Sequence, residues 1–113
     1  MLDGKCVFCR IIKGEIPAVK VYDDDKMCVF KDVEPKAATH LLAVPKSHFK
    51  LLADMDGGQA DTLKYMLEKI PAIAEANGCG NGYRLVINQG DDAGQTVFHL
   101  HVHILGGEKL GDM

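Results

Sequence analysis

No apolar run in this chain approaches the roughly 20 residues that a membrane-spanning helix needs, so a bilayer span is excluded. No run of lysine or arginine is present, and the formal charge of −3 argues against a protein that binds nucleic acid along its backbone. The opening Met1-Leu2-Asp3-Gly4-Lys5 lacks the form of an export signal. The expected setting is therefore cytoplasmic, where the four cysteines stay reduced and are read as ligands or core before disulfides. Internal repeats, linkers and low-complexity tracts are missing too. What remains is one domain over residues 1–113, whose 47% hydrophobic content suffices for a single compact core.

The most informative stretch is His99-Leu100-His101-Val102-His103-Ile104-Leu105. Its period-two alternation marks a strand with one buried face. His99, His101 and His103 are expected on one side, with Leu100, Val102 and Ile104 entering the core from the other. Side chains two apart on a strand lie about 6.6–7 Å apart, near enough to surround one small ligand group. Three of the five histidines fall within these residues, whereas an ordinary solvated strand face favours Lys, Thr and Glu. Beside that bland reading stand two chemical ones. The first is a His-only metal site, since His-x-His on a strand chelates zinc. The second is nucleophilic catalysis, in which one imidazole attacks while its neighbours fix the tautomer and protonate the leaving group.

The remaining chain reads as an α+β domain with an antiparallel sheet of five strands, one long helix and one short one. Cys6 to Gly14 suggests the short helix, with Gly14 as its stop. Strands are expected at Val19 to Tyr22, Lys26 to Asp32, His40 to Val44, Tyr83 to Asn88 and Val97 to Leu105. Ser47 could cap a short helical segment through Leu52. The long helix is expected over Gln59 to Ala76, with Asp56 as N-cap, Asn77-Gly78 as its end, and Pro71 kinking or dividing it.

Gly94-Gln95-Thr96, before the histidine strand, offers backbone N–H groups, an amide and a hydroxyl suited to an anion such as phosphate. Phosphorus also suits an imidazole nucleophile. On its His-φ-His-φ-His-φ-φ signature (φ apolar) the chain resembles the histidine triad superfamily of nucleotide hydrolases and transferases, and within it the histidine triad nucleotide-binding branch. The match extends over Phe8 through Ile16-Pro17, Phe30 to Val33, Thr39-His40, Pro45-Lys46, Asn88, Gly94 to Val97 and Leu105-Gly106-Gly107, nearly the whole chain.

The resemblance implies hydrolysis of purine nucleoside 5′-phosphoramidates and related nucleotidyl-amine conjugates such as those of AMP. It makes His101 the nucleophile, forming a nucleotidyl-histidine that water cleaves, with the carbonyl of His99 fixing its tautomer. His103 and Thr96 would contact the phosphate and the departing group, and His40 would join the same polar network. Asn88, Gly94, Gln95 and Val97 would line the phosphate and sugar, and Asp32 would accept from the ribose hydroxyls. Val7, Phe8, Ile11, Ile16, Phe30, Val33 and Leu42 would wall the base pocket. Read without the resemblance, Phe8, Ile11 and Leu42 are core, Asp32 is a strand-end turn residue and His40 is a satisfied buried histidine. A dinucleoside polyphosphate hydrolase and a nucleotide- or partner-binding module with little turnover stay open as alternatives. The family further implies a homodimer whose sheets join into one of ten strands.

Cys6-x-x-Cys9 closes a good bidentate chelate, but two ligands are not a site. His48 is a reasonable third ligand and His99 a fourth, a Cys₂His₂ set that resembles the structural zinc site of some bacterial members. Its role would be to pin the N-terminal segment to the histidine strand. The other reading is two reduced core thiols. No thioredoxin-like βαβ context supports a redox pair. Cys28 reads as strand core and Cys79 as a loop thiol. With His99 serving zinc, His101 and His103 stay free for chemistry, and no catalytic metal or organic cofactor is expected. The tail from Glu108 to Met113 departs from relatives with longer or Trp-bearing endings.

Overall fold

The computed structural model describes residues 4–113; residues 1–3, part of the stretch scanned for an export signal, lie outside them. Cys6 has an extended backbone and its Sγ accepts the Cys9 N–H at 3.5 Å, which starts the helix α1 (Val7–Ile12). β1 (Lys20–Asp23) and β2 (Met27–Lys31) are joined by an acidic turn. There the Asp24 carboxylate accepts the N–H groups of Lys26 and Met27 at 2.8 and 2.9 Å. β3 (Thr39–Pro45) follows.

The helical segment expected after Ser47 is absent; a single 3₁₀ turn lies later, at Leu52–Asp54. Ser47 is used instead as an acceptor for the Gln59 side chain, at 3.5 Å. α2 (Gly57–Ala76) begins with a full capping box between Asp56 and Gln59. Pro71 does not divide it. The proline sits on the exposed side, so the carbonyl that loses its partner, four residues back on 42% exposed Leu67, stands where water can serve it.

β4 (Tyr83–Val86) and β5 (Val102–Gly106) complete the sheet, whose order is β1-β2-β3-β5-β4 with every pairing antiparallel. Alternation divides the strands between two cores. Met27, Val29, Leu41, Ala43, Val102 and Ile104 pack under α2 against Met66, Ile70, Ile73 and Ala74. Cys79 stands in a loop as expected but is buried in this same cluster. On the opposite face, Cys28, Phe30, Leu42 and Val44 pack with Phe8 and Ile11 of α1. None of the described helices is long and apolar enough to cross a membrane.

The histidine segment departs from its expectation at one end. Strand pairing begins only at Val102, because the Leu100 N–H donates to the Phe49 carbonyl at 2.7 Å rather than to a neighbouring strand. His99 closes a bend, and residues 100–101 form an irregular approach to β5 held from outside the sheet. Along β5 the alternation holds: Val102 and Ile104 are fully buried beneath α2, while His103 and Leu105 are half-buried on the α1 side.

Candidate active site

The second face of the sheet is not wholly covered by a six-residue helix, and what α1 leaves open is a cleft of about 680 Å³. One end is apolar, formed by Phe8, Ile11, Ile16, Phe30, Val33 and Leu42. The other is polar, formed by Asp32, His40, Asn88, Thr96, His101 and His103, with Val7 and Val97 beside them. Phe8, Ile11, Phe30 and Leu42 are at most 7% exposed, so these side chains are core and cleft wall at once. Val33, at 92% exposure, is wall alone.

Gly94 and Gln95 fall outside the wall. The Gln95 amide is committed to its own loop: Oε1 accepts the Gly90 N–H at 2.9 Å, and Nε2 donates to the carbonyls of Lys50 and Val97. It braces the turn that delivers Thr96 and Val97. Glu34 and Lys36 also line the cleft, and the sequence reading passed over them. They stand on an exposed connection with no periodicity to mark it.

Hydrogen bonds to the backbone assign the protons on the rings. His101 Nδ1 lies 2.8 Å from the His99 carbonyl, which can only accept, so Nδ1 carries the hydrogen and Nε2 keeps its lone pair. The Lys36 N–H donates to His40 Nδ1 at 3.0 Å, so His40 carries its hydrogen on Nε2. That Nε2 sits 2.9 Å from His103 Nδ1 and 3.4 Å from an Asp32 carboxylate oxygen. Donation to the nearer nitrogen leaves the hydrogen of His103 on Nε2. Asp32, His40 and His103 are close enough together to hold a metal ion, but a protonated Nε2 is no ligand, and the trio is better described as a hydrogen-bond relay.

Burial keeps these rings uncharged. It pushes His103 down to about 4, helped by the His101 and His40 rings and opposed by Asp32. His101 and His40 are lowered for the same first reason, with the His99 carbonyl and Asp32 respectively pulling the other way. Phe8 stands edge-on to the His101 ring, with centroids 5.1 Å apart and planes at 86°, and fixes it from the α1 side.

His99 points elsewhere. Its ring is fully buried and lies outside the cleft wall, and Nε2 donates to the Pro45 carbonyl at 2.8 Å. Nδ1 is thereby left as a lone pair, 3.1 Å from His48 Nδ1 and 3.5 Å from the sulfurs of both Cys6 and Cys9. Burial first, then the neighbouring His48 and His101, hold His99 down to about 4, so the ring is neutral. The ligand atoms of Cys6, Cys9, His48 and His99 all lie within 4.8 Å of one another. Two imidazole nitrogens and two thiols converging this way form a soft N₂S₂ set. One residue thus serves two places, its carbonyl holding the His101 ring and its own ring joining the cysteine cluster.

An antiparallel sheet with a long helix on one face, and on the other a short helix over a row of converging histidines, defines a histidine triad domain. The comparisons agree. A family model described as scavenger mRNA decapping enzyme C-term binding matches residues 5–112. Protein HitA of Neisseria gonorrhoeae is 48% identical over 101 residues, covering 89% of this chain and 94% of that protein. A histidine triad protein from Clostridium difficile superposes with a TM-score of 0.94 at 42% identity, covering 100% of this chain and 99% of the other. A HIT family hydrolase from Legionella pneumophila gives 0.89 at 40% identity, covering 95% and 96%. The chain belongs to the histidine triad family. Two relatives are named for a metal. One is a 14 kDa zinc-binding protein of Zea mays, 41% identical over 96% of this chain and 86% of its own. The other is a Zn-bound histidine triad family protein from Mycobacterium smegmatis, with a TM-score of 0.78 at 32% identity over 92% of this chain and 76% of its own.

Proposed function

We propose that this protein is a nucleotide hydrolase that cleaves purine nucleoside 5′-phosphoramidates through a nucleotidyl-histidine on His101. The observation that carries this reading is the 2.8 Å contact from His101 Nδ1 to the His99 carbonyl, which leaves an uncharged Nε2 as the nucleophile in the cleft. The apolar end suits a purine ring, and the Asp32 carboxylate at the polar end suits the ribose hydroxyls.

In the first step His101 Nε2 attacks the α-phosphorus and the P–N bond breaks, with the His103 Nε2–H hydrogen-bonded to the departing nitrogen, which takes its proton from water. Thr96 and Asn88 supply polar groups for the phosphate oxygens. In the second step water attacks the phosphorus and releases a proton to solvent, and the His101–phosphorus bond breaks to free the nucleotide and the neutral ring. The relatives named as hydrolases support hydrolysis as the reaction class.

Cys6, Cys9, His48 and His99 fit a structural zinc ion, supported by their donor chemistry and by the zinc-named relatives. Bound there, zinc would cross-link α1 to the segment that carries His101 and take no part in the chemistry. The outer edge of β4, which exposes Tyr83 and Leu85, suits pairing with a second copy into a ten-stranded sheet. Sedimentation of the purified protein tests that assembly.

The reaction is tested by release of AMP from adenosine 5′-phosphoramidate, wild type beside His101→Ala. Turnover that disappears in the variant while AMP still binds supports the proposal. No turnover by folded wild type refutes phosphoramidase activity. Competition with a diadenosine polyphosphate then separates the two hydrolase readings, and a variant that binds as before with nothing lost points to a binding module.

A further inference from the structure

Between β2 and β3 residues 33–38 form a loop whose Val33, Glu34 and Lys36 line the cleft, and alternate N–H groups of this loop are held by side chains. The Glu34 N–H donates to Asp32 Oδ1 at 2.8 Å, and the Lys36 N–H to His40 Nδ1 at 3.0 Å. The Ala38 N–H donates to Glu108 Oε2 at 2.6 Å, a short bond to a carboxylate oxygen. Asp32 and His40 flank the loop, whereas Glu108 comes from the C-terminal tail, 70 residues away. The tail reaches Ala38 because it turns at Gly107, whose φ of +76° and close approach to Thr39 leave no room for a side chain: a Cβ would stand 2.7 Å from Thr39 Oγ1.

We propose that Glu108 is a positioning residue for the active site. By holding Ala38 it keeps the loop where the Lys36 N–H reaches His40 Nδ1, and that one backbone hydrogen sets the protons on both His40 and His103. Without it, the His40–His103 pair can reverse. His40 would carry its hydrogen on Nδ1 and accept at Nε2 from His103 Nδ1. His103 would then present a lone pair, and no hydrogen, to the departing amine. The effect on rate rests on the proposed reaction; the effect on the rings does not.

The experiment compares Glu108→Ala and Glu108→Gln in the full chain, reading imidazole ¹⁵N shifts of His40 and His103, AMP affinity, and kcat with adenosine 5′-phosphoramidate. Thermal unfolding checks that both variants are folded. In Glu108→Ala the shifts are expected to report mixed tautomers at His40, with kcat down about tenfold and AMP affinity nearly unchanged. Glu108→Gln, whose amide oxygen can still accept from Ala38, is expected to keep the wild-type shifts and most of the rate. Unchanged shifts in Glu108→Ala overturn the proposal, whatever the rate does. So does a Glu108→Gln variant as impaired as the alanine. If wild type does not turn over the phosphoramidate, the reaction reading fails while the shifts still decide the role of Glu108.

Discussion

Phe8 links the stability of α1 to His101, the proposed nucleophile, and Phe8→Ala measures both. The side chain is 6% exposed. A buried phenylalanine removes about 200 Å² from water, and at ~25 cal/mol per Å² that is worth roughly 5 kcal/mol, of which alanine retains about 1. The remainder falls within the roughly 3–5 kcal/mol usual for such truncations. Edge-on contacts with Phe30 at 5.5 Å, His101 at 5.1 Å and His99 at 6.0 Å disappear with the ring. A six-residue helix has little stability of its own, so α1 can undock before the sheet melts. The expected loss in urea unfolding is therefore about 2–3 kcal/mol, below the full truncation figure. With its edge-on wall gone, the His101 ring turns more freely, and kcat is expected to fall further than AMP affinity. Phe8→Leu should recover most of the stability and little of the rate, because leucine fills the space without a ring edge. A Phe8→Ala protein that loses under 1 kcal/mol and keeps wild-type kcat would refute the idea that α1 braces the nucleophile.

Three more outcomes follow from the geometry. Zinc analysis should find one ion per chain, lost in Cys9→Ala, and free zinc at about 100 times its Kd should raise the stability of stripped protein by roughly 2.7 kcal/mol; the same melting curve with and without zinc would count against the site. Gly106→Ala should cost about 1–3 kcal/mol, because its Cβ would stand 2.8 Å from Cys79 Sγ, and combining it with Cys79→Ala should cost less than the sum of the single changes. Burial raises the Asp24 carboxyl, but hydrogen bonds from Tyr65, the Lys26 and Met27 N–H groups and Tyr22 outweigh it and bring the value from 3.8 to about 2. A carboxyl depressed on folding stabilises above its unfolded value, so this contribution, about 1 kcal/mol after allowing for solvent screening, should fade between pH 4 and pH 2 in urea titrations. Asp24→Asn should remove that part of the slope.

Residue types and spacings predicted much of this arrangement. The alternation through Ile104 marked the segment that carries the three histidines, and the helical spacing of Leu63, Met66, Leu67, Ile70, Ile73 and Ala74 marked α2, whose buried stripe holds Met66, Ile70, Ile73 and Ala74 while Leu67 is exposed. Period two, however, reports alternating environment and not pairing, which is why His99 and His101 looked like strand residues although the Leu100 N–H is taken by Phe49. The Cys6-Cys9 spacing was visible, but His48 and His99 join it from 39 and 90 residues beyond Cys9, and only the family resemblance brought those together. The relay through Lys36 was invisible for a different reason. It uses a backbone N–H, which nearly every residue type carries, so nothing in the identity of Lys36 could announce it.

β5 is made after every other strand, yet it lies between β3 and β4 in the sheet. During synthesis β1, β2 and β3 can pair as they emerge, but β4 has no neighbour until β5 arrives, and α1 has no histidine segment to close upon. The sheet is therefore finished by insertion of its latest part into an interior slot, with pairings of large sequence separation that slow folding. Until then the face that will become the cleft, with its reduced thiols, stays open to chaperones, metal and oxidant alike. Shortening the chain within β5 would accordingly prevent completion of the sheet, whereas removing an outer strand would merely trim it.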